Sequence, residues 1–418
     1  MPVGYRFIGA AAGTQTGIRL RGQGRDGHAF PSPGRKGQFL EQLTAELGGA
    51  GQIGVGVGPV LEKFDAVSRI AVLRGGGLGD LMFAIPAMAA LKAAYPAAHL
   101  TLLGTPIHEA VLGAVESPVD EVVVLPFAEG VRPGEEDAGE LDRFFAGMRG
   151  RAFDLAVQLH GGGRFSNPFL LRLGASHTVG TRTADAALLE RSVPYLYYQH
   201  EPVRALEVAG FAGAFPVDLE ARLAPAGQAS FPPRPGDGAQ PLVVIHPGAT
   251  DPRRRWPAAK FAELAAACAA DGSRVVLIGD GSEQGLAAEI ADSAASTAVS
   301  SLAGALDMAG LVALLAAADV VVANDSGPRH LAQALGVPTV GIFWVGNVIN
   351  AGALGRSLHR VHASWVTACP TCGVDVTQVG WTAARCVHDD SLVAGVAVSD
   401  VYGDVWSLTA GKFAKQDA

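Results

Sequence analysis

Residues 69–86 run Arg69-Ile70-Ala71-Val72-Leu73-Arg74-Gly75-Gly76-Gly77-Leu78-Gly79-Asp80-Leu81-Met82-Phe83-Ala84-Ile85-Pro86. A short apolar run, a glycine turn and an Ala/Leu/Met-rich stretch predict a buried strand followed by a helix over 78–95, which Pro96 closes. Working outward, strand-like runs recur at 99–103, 121–125 and 154–159, with helical composition between several of them. Apolar strands alternating with helices predict a parallel sheet covered on both faces.

The alternation stops at 224–241, where Pro and Gly dominate, and then restarts. Strands are predicted at 242–245, 274–278, 320–323 and 339–343, and helices at 257–270, 282–292, 307–317 and 327–335. The fold class is therefore α/β: two doubly wound, Rossmann-like domains, 66–223 and 242–418, joined by a hinge-like linker over 224–241. Ligands of such sheets lie at the carboxyl ends of strands, and two facing domains suggest a two-substrate enzyme. Residues 1–65 read as a flexible glycine-rich extension. Within it Gly54-Val55-Gly56-Val57-Gly58 lacks the preceding strand and following helix that a phosphate loop needs.

Composition narrows the function. A chain of 418 residues suggests two or three domains, and 49% hydrophobic against 17% charged residues excludes a disordered protein. Forty acidic against 32 basic residues, a net charge of −8, argue against a nucleic-acid partner. Four cysteines point to a reducing compartment. The longest apolar candidate for a membrane span, 311–323, is too short and holds Asp319. The first thirteen residues lack the apolar segment of a secretory signal. A soluble cytoplasmic chain, able to touch a membrane surface, is expected.

Three clusters carry chemistry. In the glycine turn, a dinucleotide fingerprint that starts at Gly75 would place its third glycine at position 80. Asp80 stands there instead, and its charge would oppose a pyrophosphate, so an NAD or FAD site is discounted. Gly77 and Gly79 allow close backbone approach, and Asp80 reads equally as a helix cap or as a catalytic base. The second cluster, Thr250-Asp251-Pro252-Arg253-Arg254-Arg255-Trp256-Pro257, follows a strand and precedes a helix, a placement that favours phosphate binding over a solvated charge run. The third, Asn324-Asp325-Ser326-Gly327-Pro328-Arg329-His330, also joins strand to helix. There Ser326 and Gly327 can present N–H groups to a diphosphate, while Asp325 and His330 can reach sugar hydroxyls or phosphates. Glu283, in Gly279-Asp280-Gly281-Ser282-Glu283, is either a ribose ligand or a first-turn helix residue. Cys369-x-x-Cys372, Cys386 and His388 resemble an irregular zinc set, but reduced cysteines packed in a loop are the expectation.

From residue 69 to the C-terminus the chain resembles glycosyltransferase family 9, whose best-known members are the ADP-heptose:lipopolysaccharide heptosyltransferases. The blocks that carry the resemblance are Arg74 to Asp80 with Leu81-Met82-Phe83-Ala84-Ile85-Pro86-Ala87, then Thr250 to Pro257, and Asp325-Ser326-Gly327-Pro328-Arg329-His330-Leu331. The resemblance implies a GT-B fold and inverting, metal-independent transfer from a nucleotide-activated heptose, with no cofactor. It places Asp80 as general base and Arg254, where the family usually has lysine, on the leaving diphosphate. Thr250, Ser326 and Gly327 would bind phosphates, Asp325 the donor sugar and Glu283 the ribose. Trp344-Val345-Gly346-Asn347 departs from the Gly-Pro/Ser-Thr of many members. The cysteine segment resembles one found in several members but has one cysteine fewer, and residues 1–65 have no counterpart.

The expected partners are a nucleotide sugar, ADP-linked, and a cell-envelope glycolipid or polysaccharide, with peripheral contact at the inner membrane face. Arg132, Arg143, Arg149, Arg151, Arg164 and Arg172 are candidates for an anionic acceptor; scattered surface arginines are the alternative. A GT-B transferase with a different donor and a non-catalytic sugar-nucleotide-binding homologue are the competing functions, and an NAD-linked dehydrogenase is the weakest reading.

Overall fold

The computed structural model describes residues 57–227, 240–377 and 384–413. The first domain runs β1 (Arg69–Leu73), α1 (Leu78–Ala94), β2 (His99–Gly104), α2 (Pro106–Leu112), β3 (Val115–Glu116), β4 (Glu121–Val124) and α3 (Ala138–Gly150). It continues with β5 (Leu155–Gln158), α4 (Ser166–Leu171), β6 (His177–Arg182), β7 (Arg191–Pro194) and α5 (Glu201–Phe211). After β8 (Ala224–Pro225), the second runs β9 (Leu242–His246), α6 (Ala258–Ala270), β10 (Arg274–Leu277), α7 (Gln284–Ala294), β11 (Val299–Ser301) and α8 (Met308–Ala317). Then follow β12 (Val320–Asn324), α9 (Gly327–Ala334), β13 (Thr339–Trp344), α10 (Val345–Ala351), β14 (His359–Ser364) and α11 (Val398–Phe413).

Each domain holds a six-stranded parallel sheet, ordered β4-β2-β1-β5-β6-β7 and β11-β10-β9-β12-β13-β14. Both orders reverse beside the first strand of the domain, the position where doubly wound sheets open a crevice. Burial on both faces explains why the central strands read as unbroken apolar runs rather than as alternation. In β1, Ile70 and Val72 face a layer that includes α1 and α5 residues, whereas Ala71 and Leu73 face Phe145 of α3 and Phe169 of α4. In β9, Val243 and Ile245 face an outer layer with Phe261, Ile290 and Val401. Leu242 and Val244 join the same inner cluster as Ile70 and Val72. The two sheets thus have separate outer layers but share one apolar inner layer.

The boundaries differ from the sequence expectation in two places. Residues 57–65 are not a free extension. Leu61 N–H donates to the Gly210 carbonyl at 2.9 Å, and Phe64 is buried between the His177 ring, centroids 4.1 Å apart, and the Arg191 guanidinium. The aromatic ring gains more from that pocket than from solvent. Residues 1–56 of the expected extension lie outside the described residues. The second difference is at 224–225, the start of the expected linker, which pair antiparallel with β3. Just before them, Leu223 N–H donates to the Ala334 carbonyl of α9 at 2.9 Å. Residues 228–239 of the linker lie outside the described residues.

Phe145 is fully buried and meets Phe169 at a centroid distance of 4.7 Å. Phe145→Ala should cost about 3–5 kcal/mol, read as a lowered urea midpoint; a loss below ~1 kcal/mol would mean that this outer layer is loosely packed.

Candidate functional site

The strand-end loops of both sheets open toward the same gap, and α1 and α9 meet there by their N-termini. On the first-domain side, Gly76 turns the chain out of β1 at φ +92°, a left-handed conformation that glycine adopts without strain. A Cβ on Gly76 would run into the Asp80 carboxylate. Asp80 Oδ2 accepts the Gly77 N–H at 2.9 Å, and Oδ1 accepts Arg74 Nη2 at 2.6 Å. Arg74 is buried, and its guanidinium also donates to the Leu159 and Asp80 carbonyls. Asp80 is therefore a cap. Its side chain is nevertheless 45% exposed, so the geometry is compatible with the base role as well. The Gly77 carbonyl is bonded by His108 Nε2 at 3.0 Å. Burial pushes His108 below the usual imidazole range, which favours the neutral ring as donor.

On the second-domain side the three arginines diverge. Arg253 is buried and pairs with Asp251 at 2.6 Å, and Arg255 donates to the Ala249 carbonyl at 2.8 Å. Arg254 alone reaches Asp325, at 3.1 Å. Asn324, at the end of β12, staples this loop: its Oδ1 accepts the Trp256 N–H at 3.0 Å, and its Nδ2 donates to the Pro247 carbonyl at 2.7 Å.

Asp325, read from sequence as a contact of the donor sugar, is engaged here by protein groups. The residue is buried, with Oδ1 accepting His330 Nε2 at 2.8 Å and Oδ2 accepting Arg254 and Asn347, the latter at 2.8 Å. Burial alone would raise its pKa. The His330 hydrogen bond and the charges of Arg254 and Arg329 outweigh that effect and hold the carboxyl at about 2. Burial, reinforced by the Arg329 charge, pushes His330 below its usual range. A neutral His330 fits both of its contacts: Nε2–H donates to Asp325, and Nδ1 accepts from Arg329 Nη2 at 3.0 Å. Asp325 thus anchors Arg254. Asn347, in the loop that departs from the family pattern, adds a donor to the same carboxylate.

Ser326 precedes α9 but does not cap it. Its Oγ lies 2.9 Å from His246 Nδ1, while His246 Nε2 lies 3.1 Å from Glu283 Oε2. A carboxylate only accepts, so His246 Nε2–H donates to Glu283, and the Ser326 hydroxyl is left to donate to Nδ1. The α9 N-terminus therefore has no side-chain cap, the arrangement that suits an anion. The hydrogen bond from His246 keeps the Glu283 pKa low against its partial burial. A Cβ at position 248 would displace the Glu283 carboxylate from its present place. Thr250 is exposed on the same loop.

The two sides touch through glycines. A Cβ on Gly327 would stand 2.8 Å from the Leu78 Cβ, and one on Gly79 would stand 3.2 Å from the His330 ring. The Phe83 ring meets His330 edge-on, centroids 4.7 Å apart. His246, Arg74 and Asn347 were not singled out from sequence as site residues. His246 was findable as a polar residue ending an otherwise apolar strand, but Arg74 and Asn347 carry no such signal.

The six candidate acceptor arginines do not gather. Arg132 and Arg164 lie on loops after β4 and β5, where Arg132 covers the Phe127 ring and Arg164 approaches Asp185 at 3.7 Å. Arg149, Arg151 and Arg172 fall at the C-terminal ends of α3 and α4. That edge is where strands begin, because each helix returns the chain to the start of the next strand. Arg151 pairs with Glu121 and Arg172 with Asp142; Arg143 lies within α3. Among the described residues, side chains of metal-ligand type gather at Cys369, Cys372, Cys386 and His388, a group that includes none of the residues above.

Comparison with known proteins matches this geometry. The sequence model of glycosyltransferase family 9 (heptosyltransferase) fits residues 142–372. Lipopolysaccharide heptosyltransferase 1 of Pseudomonas aeruginosa is 27% identical over 321 residues, 73% of this chain and 86% of the relative. The E. coli ADP-heptose lps heptosyltransferase II structure aligns with a TM-score of 0.63 at 20% identity, covering 82% of this chain and 99% of that one. E. coli heptosyltransferase WaaC with ADP gives 0.54 at 20% identity, covering 71% and 93%. Two Rossmann-like domains facing across a cleft define the class as the GT-B fold. Within that class, the chain belongs to glycosyltransferase family 9.

Asp325→Asn should cost about 3–5 kcal/mol at neutral pH, because the buried Arg329 and its neighbour Arg254 lose their counter-charge. A carboxyl depressed to about 2 in the fold contributes stability above the unfolded pKa and loses it as pH falls toward 2. The ionisation part of the difference between wild type and variant, roughly 2 kcal/mol, should accordingly fade between about pH 4 and pH 2. Urea titrations of both proteins across this range test the sign; a constant difference would show that the Asp325 pKa is not depressed in the fold.

Proposed function

We propose that this protein transfers a heptose from ADP-heptose to a hydroxyl of a cell-envelope glycolipid or polysaccharide, with inversion and without a metal ion at the diphosphate. The observation that carries the reading is the placement of Asp80 and the uncapped α9 N-terminus on opposite sides of one glycine-lined contact. A base and an anion site must flank the anomeric carbon from opposite faces for an inverting displacement, and this arrangement supplies both.

In this reading an acceptor hydroxyl approaches the exposed edge of Asp80. The carboxylate, oriented by Arg74 and the Gly77 N–H, takes the proton as the oxygen attacks the anomeric carbon. The bond from that carbon to the diphosphate breaks, and the departing charge is met by Arg254, Thr250 and the backbone N–H groups of Ser326 and Gly327. Arginine in place of the family's usual lysine brings a planar fork that can contact the diphosphate and Asp325 together. Glu283 faces the ribose, and His330 holds Asp325 in place. A glycolipid acceptor places the enzyme in the cytoplasm at the inner membrane face. No helix among the described residues is long and apolar enough to cross a membrane. The name of the P. aeruginosa relative and the ADP bound to the E. coli structure support the donor and acceptor classes.

Asp80→Asn should lower kcat by roughly 100-fold or more while leaving ADP affinity within a few-fold; undiminished turnover would remove Asp80 from the base role. Arg254→Ala should weaken both donor binding and rate, since diphosphate charge is present before transfer and grows during it. Calorimetric titration with ADP, UDP and GDP tests the donor. Selective ADP binding supports the proposal, selective UDP or GDP binding assigns another donor, and no binding to any of them overturns the nucleotide-sugar site.

A further inference from the structure

The transfer chemistry leaves one set of reactive side chains unused. The segment Cys369-Pro370-Thr371-Cys372-Gly373 folds into a tight hairpin turn. Gly373 N–H donates to the Cys369 carbonyl at 2.9 Å, Cys369 N–H donates to the Val374 carbonyl at 2.8 Å, and Ala368 pairs antiparallel with Asp375. Gly373 takes φ +71°, which a side chain would strain. Within the turn the backbone N–H groups of Thr371 and Cys372 are aimed at the Cys369 sulfur. Cys386 and His388 return onto this turn, and Thr371 Oγ1 donates to Asp390 at 2.6 Å. Cys369 Sγ lies 3.7 Å from His388 Nδ1, and the three sulfurs and the imidazole nitrogen all fall within 4.8 Å of one another.

All of these cysteines are free thiols. Packing as small apolar groups does not account for the cluster, because Cys372 is exposed and Cys386 and His388 are only half-buried. A tetrahedral ion with metal–sulfur bonds of about 2.3 Å would set the sulfurs roughly 3.8 Å apart, close to the spacing already present. Soft sulfur donors with one imidazole in tetrahedral array select zinc or iron.

We propose that Cys369, Cys372, Cys386 and His388 bind one tetrahedral metal ion, zinc or iron, that clips the arginine loop in place. Binding displaces the three thiol protons and uses the Nδ1 lone pair of a neutral His388. Four protein ligands close the coordination sphere, so the ion is structural and takes no part in transfer. Its effect passes along the chain that follows His388. Ser391 Oγ donates to the Arg255 carbonyl at 2.6 Å, and Leu392 N–H donates to the Arg253 carbonyl at 2.8 Å. Arg385, next to the ligand Cys386, approaches Asp251 at 3.6 Å. The apolar support of this segment is small, with Cys369, Val376 and Leu392 buried against Trp344 and Val366. An ion is what gives such a short segment a fixed shape.

Elemental analysis of the full chain, purified without chelators, should find about one equivalent of zinc or iron, and which metal is present identifies the ion. Cobalt replacement should give the intense charge-transfer bands of a thiolate-bound tetrahedral site, lost in Cys372→Ser. Should that variant fail to fold, the wild type itself decides: a strong chelator should lower Tm by several degrees and expose the three thiols to a thiol reagent. Hydrogen exchange should then accelerate at residues 251–256 as well as at 366–392. Negligible metal with Tm unmoved by chelator or added zinc would overturn the site, as would an intact-mass loss showing a Cys369–Cys372 disulfide. Faster exchange confined to 366–392 would overturn the clip.

Discussion

Two helices point their N-termini at each other across the space between the domains, and they approach closely only because positions 79 and 327 carry no side chain. The rest of the site follows from that constraint. A helix N-terminus presents unpaired N–H groups and a partial positive charge. The first-domain helix satisfies its own end with Asp80. The second cannot, because the hydroxyl of Ser326 is drawn aside to His246, whose other ring nitrogen bonds Glu283. One end therefore offers a carboxylate and the other offers room for an anion. This is the division of labour that a displacement between a hydroxyl and a diphosphate requires.

The arginine loop depends on polar groups buried at the end of β12. Asn324 ties the backbone on both sides of the loop, and Asp325 holds the one guanidinium that faces inward. A buried carboxylate is costly unless several donors converge on it. Here His330, Arg254 and Asn347 do so from three different segments. The His330 ring also touches the first domain through Gly79 and Phe83, so the anchor of Asp325 and the domain contact share one side chain.

Much of this architecture was legible in the sequence, and the reasons differ by element. Central strands such as 69–73, 242–246 and 320–324 are buried on both faces and announce themselves as apolar runs. The edge strands β7 and β14 went unread because Arg191-Ser192-Val193-Pro194 and His359-Arg360-Val361-His362-Ala363-Ser364 mix polar groups into half-buried positions. Asp80, Arg254, Ser326 and Gly327 could be picked out because each stands at a junction between strand and helix. The burial of Asp325, the divergence of the three arginines and the pairing of Arg74 with Asp80 depend on contacts distant in sequence, which residue spacing does not encode. Gly248 illustrates the same limit, since the group that a side chain there would displace is a glutamate 35 positions away.

The shared inner layer has a consequence for how such a chain can be altered. Because Val244 and Leu331 of one domain belong to the same apolar cluster as Val72 and Leu81 of the other, the halves are not interchangeable cassettes. A chimaera that grafts the second domain of a relative onto this first domain would juxtapose two surfaces shaped for different neighbours. Its seam would have to be redrawn along α1 and α9, rather than at the proline-rich joint where a designer reading the chain in order would place the cut.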